Sequence, residues 1–313
     1  MTTSERLADW KSSGIISDEQ HNSLLALVER RKFSLFVELS ALLYVGVISI
    51  VGGLAWTFRD YVVDLGDVAI LSILMLLLAV SFGYCFTRHV PYSNDEVESP
   101  SLVFDYVLYF GCLIFSATLG FIETRFGIFH GWDTHLLLAS MVFGVLAYRF
   151  DNRFVLSLAL STLAAFVGLK LSVFDEISND RLRILAIMYG AFLIGVGWLL
   201  YRLAIKKHFL DVYLQLGANA ILLATTFGAM EGPYLDLYLL AVLVLAAVSI
   251  GLGLRYRRFA FVAYGTLYGY AAISFRTLDA LRSPLGSLLY FIVTGSAVVV
   301  ALVVVARKFG RDE

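Results

Sequence analysis

The residues nearest to chemistry in this chain sit in one apolar run, "HFLDVYLQLGANAILLATTF", residues 208–227. If the run is helical, each residue turns about 100° from the last, which sets His208, Asp211, Gln215, Asn219 and Thr226 within an arc of about 80°. An imidazole, a carboxylate and two carboxamides in one line suit two tasks. They can line a water-filled or ligand-binding path, or they can tie neighbouring helices together by hydrogen bonds.

Three other stretches carry reactive residue types. "HGWDTH" brings His130, Asp133 and His135 together, all of them metal-ligand types. The same stretch also reads as an interfacial anchor, Trp132, followed by a helix cap, Asp133. "DLGD" at 64–67 has the Gly-Asp pair of aspartyl intramembrane proteases, but no second aspartate stands in an equivalent frame, so Asp67 reads as an N-cap. "AYGTLYGY" sets Gly265 and Gly269 four apart beside Tyr264 and Tyr268, which suits a close-packed helix seam or an aromatic binding wall. The chain has no H-E-x-x-H zinc signature and no convincing G-x-S-x-G nucleophile turn. Cys85 and Cys112 lack metal-ligand spacing and read as small apolar residues. No catalytic residue, cofactor or metal is expected.

The elements that must position these residues are set by composition. With 59% hydrophobic and 16% charged residues over 313 positions, the chain is too apolar for one soluble core. Ten runs can each cross a hydrocarbon core of about 30 Å as a helix. They are expected near 35–58, 67–87, 102–125, 134–149, 153–174, 182–203, 209–229, 234–254, 258–275 and 285–306. The first 32 residues are polar, so no cleavable signal peptide is expected and the first span serves as its own insertion signal. Of the 24 Lys and Arg, 17 fall on the side that also holds both termini, which predicts cytoplasmic ends. A net charge of -1 gives no reason to expect nucleic acid.

The spans repeat. "VFGVLAYRF", "GVGWLLYRL" and "IGLGLRYRR", and more loosely "SFGYCFTRH", all bring glycine shortly before an arginine at a span's end. Arg88, Arg149, Arg202 and Arg257 are 61, 53 and 55 residues apart, the length of two spans with their loops. Units of two spans keep one orientation, so the repeat is parallel. The segment 88–101, "RHVPYSNDEVESPS", reads as a solvated flexible loop, with partner docking as the sharper alternative. Among ionisable residues within spans, Glu38 and Asp105 lie near the inside boundary, and Glu123, Lys170 and Arg276 near the outside one, where interfacial water satisfies them.

Ahead of the spans, Leu7 and Trp10 suggest a short amphipathic turn ended by Gly14. Ser17 and Gln20 then form a capping box that starts a second helix. The basic run Arg30, Arg31 and Lys32 meets the membrane surface. The spacing W-x3-G-x-I-S-x-E-Q, carried by Trp10, Gly14, Ile16, Ser17, Glu19 and Gln20 ahead of a many-span region, resembles the bacterial predicted membrane proteins of domain of unknown function 2157. The resemblance implies membrane location and architecture, and no chemistry.

The expected protein is an all-α polytopic bundle. It has a cytosolic helical hairpin over 1–32, a ten-helix membrane domain over 33–307 and a cytosolic tail over 308–313. Its expected location is the bacterial inner membrane, its expected partners are the lipid bilayer and a cytosolic protein met through the hairpin, and it is not expected to be an enzyme. Small-molecule binding or transport along the 208–226 stripe is the first functional reading; a non-transporting sensor or scaffold is the alternative.

Overall fold

The computed structural model describes residues 66–97, 99–128, 132–172, 179–231, 234–281 and 283–309, together with 10–15, 17, 18, 20, 21, 49 and 53. The expected first span over 35–58 lies almost wholly outside these residues, as do His130, the basic run at 30–32, Glu38 and most of the expected N-terminal hairpin. The described chain is all-helical: α1 (Asp67–Arg88), α2 (Leu102–Phe126), α3 (Trp132–Phe150), α4 (Arg153–Ser172), α5 (Asn179–Arg202), α6 (Leu210–Met230), α7 (Leu235–Arg255), α8 (Phe259–Leu281) and α9 (Pro284–Phe309). These correspond in order to the second to tenth expected spans.

Seven of the nine helices are long and apolar enough to cross a membrane. The other two, α3 and α8, hold polar residues such as Asp133 and His135, or Tyr264, Tyr268 and Arg276. Large apolar side chains stand exposed on all nine, for example Val68, Met141, Phe192, Leu240 and Val300. Water would reject such a surface and a bilayer accepts it.

Helices pair as antiparallel hairpins, α1 with α2, α3 with α4, α5 with α6 and α7 with α8, and these four pairs share the most extensive contacts. The hub is α6, which touches α4, α5, α7 and α8. One buried cluster runs from Cys85 and Cys112 through Phe143 and Leu156 to Tyr213; a second joins Leu222, Val242 and Ala272, so α6 contributes to both. At the edge, α9 touches α8 through Tyr270 Oη with Thr294 Oγ1 (2.9 Å) and Ser274 Oγ with Tyr290 Oη (3.1 Å). Its helix widens to a π-turn at Phe291–Gly295, beside the first of these contacts.

Each hairpin is closed at both ends. Three of the arginine-bearing turns share one conformation: a left-handed residue, Asp151, Ala204 or Arg257, follows the helix. Behind it a 6→1 bond runs from Asn152 N–H to Ala147 C=O, from Ile205 N–H to Leu200 C=O, or from Arg258 N–H to Gly253 C=O. These are Schellman endings. They align Arg149 and Arg202 with Arg255, not Arg257 as the sequence register suggested, and the three are spaced 53 residues apart. At the opposite end, Asp67 meets Arg125 (3.2 Å), Asp133 meets Lys170 (2.7 Å) and Asp236 meets Arg276 (2.5 Å). Each aspartate opens the first helix of its hairpin, where it also suits the helix dipole. Asp67 is therefore not the expected N-cap: Gly66 takes that position, without a side-chain bond. Lys170 and Arg276, expected to rely on interfacial water, are each held by a carboxylate.

The expected caps near the N-terminus are present. Gly14 is left-handed (φ 70), with Gly14 N–H on Lys11 C=O and Ile15 N–H on Trp10 C=O. Ser17 N–H reaches Gln20 Oε1 (2.9 Å) while Gln20 N–H reaches Ser17 Oγ (3.2 Å), the reciprocal capping box. Lys11 lies 2.8 Å from Asp18 and its hydrogen bond holds that carboxyl below its ordinary range.

Within hairpins the backbones approach closely at glycine. A Cβ on Gly190 would lie 2.5 Å from the Gly217 carbonyl oxygen, and one on Gly217 would lie 2.7 Å from that of Gly190. A Cβ on Gly265 would likewise lie 2.5 Å from the Ala246 carbonyl oxygen, and Gly269 faces the Ala246 side chain, so the expected G-x-x-x-G seam binds α8 to α7. Gly190→Ala is expected to destabilise the folded protein by about 1–3 kcal/mol through overpacking. Gly195→Ala, where a Cβ meets open space, is expected to be neutral or slightly stabilising. Thermal unfolding of the two variants in the same detergent checks the contrast.

Candidate functional site

The densest set of buried polar groups lies at the arginine end, where three connections converge. The α3 ending places Asp151 in the left-handed region (φ 56), a conformation that aspartate tolerates better than most residues. Asn152 then caps α4, its Oδ1 accepting from Val155 N–H (2.9 Å). The α5–α6 connection is a second irregular turn, with Ala204 and Lys206 both left-handed before a short 3₁₀ turn over Lys207–Phe209. These two turns aim their side chains at each other. Asp151 Oδ2 lies 3.0 Å from Lys206 Nζ, and Asp151 Oδ1 lies 2.5 Å from His208 Nε2, with side chains only 3%, 1% and 9% exposed. Charges this deeply enclosed survive only when paired.

The third contributor is the 89–101 segment. Most of its described residues are exposed, as expected of a solvated loop, yet it is anchored at several points. Val97 N–H donates to Asp151 Oδ2 (2.7 Å) and Lys206 N–H donates to Asn94 C=O (3.1 Å). Tyr92 lies under the Lys206 ammonium at 5.0 Å, Glu96 meets Arg153 at 2.5 Å, and Ser99 Oγ donates to Asp105 Oδ1 (2.8 Å). The same Asp105 oxygen accepts from Asn152 Nδ2 (2.8 Å), which ties α2 to the α3–α4 turn. The segment's acidity belongs to this folded surface.

The stripe on α6 is divided among several neighbours. His208 turns to Asp151 on the α3–α4 turn, and Asp211 pairs with Arg258 on the α7–α8 turn. Asn219 donates from Nδ2 to the Gln215 carbonyl (2.9 Å) and accepts at Oδ1 from Tyr268 Oη of α8 (3.1 Å). Thr226 is buried and donates to the Leu222 carbonyl of its own helix (2.7 Å). The structure thus brings His208 into the buried cluster, pairs Asp211 and Asn219 with groups on other elements, keeps the Thr226 hydroxyl on its own helix and leaves Gln215 half-buried. Two tyrosine contacts join further helices: Tyr148 Oη of α3 with Tyr213 Oη of α6 (3.0 Å), and Tyr189 Oη of α5 donating to Leu160 C=O of α4 (2.6 Å).

Sequence reasoning missed Asp151 and Lys206. Their signal was an Asp-Asn pair one residue beyond one Tyr-Arg ending and a Lys-Lys-His run three residues beyond another. No three metal-ligating side chains converge among the described residues. His135 is buried and Asp133 is engaged with Lys170. Two mainly apolar cavities open beside α6. One of about 510 Å³ lies among α4, α5 and α6, with Tyr189, Phe227 and Arg183 on its wall; one of about 470 Å³ lies chiefly between α6 and α7 at the arginine end.

Residues 8–156 match the family model described as predicted membrane protein (DUF2157), the family whose N-terminal spacing the sequence resembles. The matched stretch runs from the caps around Gly14 and Ser17 through α1, α2 and α3 into the first turn of α4. It includes Asp151 and the docked segment, and ends before Lys206 and His208. No curated protein and no solved structure matches the chain.

Removing Asp151 leaves Lys206 as a buried charge without its carboxylate. Asp151→Ala is therefore expected to destabilise the protein by about 3–5 kcal/mol, whereas Asp211→Ala, which breaks an ion pair exposed to solvent, is expected to change stability by about 0–1 kcal/mol. Thermal unfolding of the two single variants measures the difference, and equal effects would show that the enclosed cluster carries no special weight.

Proposed function

We propose that this protein is a non-transporting scaffold or sensor of the bacterial inner membrane. In this reading all nine described helices and residues 35–58 cross the bilayer, and the arginine end faces the cytoplasm. The folded surface built from 89–101 and the three turns, on the same side of the membrane as the N-terminal element, is offered to a cytosolic partner.

The observation that carries this reading is the engagement of Asn219 at both ends of its amide. A residue lining an aqueous path would turn that amide to water, whereas here it joins α6 to α8. Helix continuity supports the same view. Pro91 and Pro100 lie in the 89–101 segment and Pro284 lies at the first turn of α9, so none of the three interrupts a helix of the bundle. The broken helices that form substrate sites in secondary transporters have no counterpart among the described residues of α1 to α8.

Orientation rests on charge. The arginine end and the termini hold 17 of 24 basic residues. At the opposite end Arg125, Lys170, Arg183 and Arg276 are each held against a carboxylate, which lowers the net positive charge there. A second reading, small-molecule binding without passage, is favoured by the cavity of about 510 Å³, a size that suits a small ligand.

Two experiments test these assignments. In a background lacking Cys85 and Cys112, cysteines at 215 and 219 are expected to resist a hydrophilic thiol reagent applied from the cytoplasmic side, while one at 211 reacts. Asn219→Leu is expected to lower stability by about 1–3 kcal/mol because it strands the Tyr268 hydroxyl. Fast labelling at 219 with unchanged stability would replace the scaffold by a water-filled path. Separately, cysteines at 149, 202 and 255 are expected to resist a membrane-impermeant reagent in intact cells, and strong labelling at any of them would overturn the orientation.

A further inference from the structure

We propose that the groove between α6 and α7 at the arginine end holds one anionic phospholipid of the cytoplasmic leaflet. Its acyl chain would lie against Leu214, Ala218, Val248 and Leu252, and its phosphate at Arg258 and Tyr256. The site rests on the membrane orientation given above, and stands whether or not the bundle serves as a scaffold.

The groove has a volume of about 470 Å³ and an almost wholly apolar wall. It is open to the side, since Val248 and Leu252 on its rim are 51% and 47% exposed. Along α7 and its C-cap it extends from Leu245 to Tyr256, eleven residue steps, or about 16 Å at 1.5 Å per residue. That is about half of a hydrocarbon core of about 30 Å, the depth of one leaflet. An occupant lying along it therefore reaches from the headgroup level to the bilayer midplane, as a phospholipid chain does.

Charge is confined to one end, and the one polar side chain farther along the wall, Ser249, donates its hydroxyl to the Phe261 carbonyl. Arg258 and Tyr256 close the groove at the α7–α8 turn, and the turn carries three arginines in four residues, Arg255, Arg257 and Arg258. The Schellman ending fixes this arrangement: Arg257 is left-handed (φ 55) and Arg258 N–H is bonded to the Gly253 carbonyl, so the arginines are presented by an ordered turn. Asp211 holds the Arg258 guanidinium at the mouth of the groove and leaves further N–H donors for a phosphate. An arginine-rich turn at the cytoplasmic boundary, above an apolar slot one leaflet deep, selects an anionic headgroup over a zwitterionic one.

The test is native mass spectrometry of the full chain released from bilayers containing equal phosphatidylglycerol and phosphatidylcholine with matched acyl chains. One phosphatidylglycerol is expected to be retained in preference to phosphatidylcholine. Each arginine removed in Arg255→Gln and in Arg255→Gln/Arg257→Gln, variants that leave the Arg258–Asp211 pair intact, is expected to reduce the preference by about fivefold. Val248→Trp, which fills the groove at an exposed position, is expected to abolish retention while leaving Tm unchanged. Equal retention of the two lipids would mean an apolar belt without headgroup selection and would overturn the proposal. A preference that survives Val248→Trp would move the headgroup site off the groove, and also overturn it.

Discussion

Hydrocarbon is as apolar as leucine, so a helix in a bilayer gains little by burying apolar side chains against another helix. Everything that holds this bundle together follows from that constraint. The forces left are close backbone approach, hydrogen bonds between side chains and backbone, and closure of the helix ends where water begins. Gly190 and Gly217 supply the first, bringing the α5 and α6 backbones within reach of one another. Tyr148 with Tyr213, Tyr189 with Leu160 and Tyr268 with Asn219 supply the second, each joining helices across a seam. All three seams involve α5 or α6, and α6 itself packs against four helices.

Closure of the ends explains the repeat. A helix leaves its last carbonyls without partners, and at a membrane boundary a short turn must satisfy them before the chain re-enters hydrocarbon. The Schellman ending does so within two residues. Glycine is its usual left-handed residue, yet the three turns use Asp151, Ala204 and Arg257. At Asp151 the side chain has a further role. The carboxylate is fixed by an unusual backbone conformation and meets Lys206, His208 and the Val97 amide from one point. A glycine there would turn as well and bind nothing.

The helices were legible from length and apolarity, and the described ones begin and end close to the expected limits, seven of them long and apolar enough to cross a membrane. So was the rule that the stripe on α6 must face protein or water, since lipid rejects Asn219 and Gln215. What one sequence could not supply was the partner of each polar group. Asp151 and His208 are 57 residues apart, and Asn219 and Tyr268 are 49 apart. Separations of that size are set by which hairpins sit side by side, and hydropathy is silent on that. At 89–101 composition gave the exposure of the acidic and polar residues but not the anchors, the Asn94 carbonyl and the Val97 amide, which meet Lys206 and Asp151. The repeat was visible, while its register slipped by two residues at the last turn because "RYRR" offers several arginines and only the backbone identifies Arg255 as the equivalent one.

The third hairpin breaks the rule that the others follow. Each remaining hairpin begins with an aspartate on its first helix and answers it with Arg125, Lys170 or Arg276 on its second. In α5 the aspartate is present, as Asp180, but α6 has no basic residue in its last turn and is followed by Glu231. The cation has moved to the first helix: Arg183 pairs with Asp180 at 2.6 Å and reaches toward Glu231 at 3.8 Å. A lysine or arginine at the end of α6 would have to share space with α7, which packs on that face through Tyr238 against Gly228. Moving the charge to α5 leaves that face free for close packing and places a buried guanidinium on the wall of the larger cavity instead. The departure from the repeat thus falls on the helix that touches four neighbours, where packing constraints are tightest and a long charged side chain fits least well.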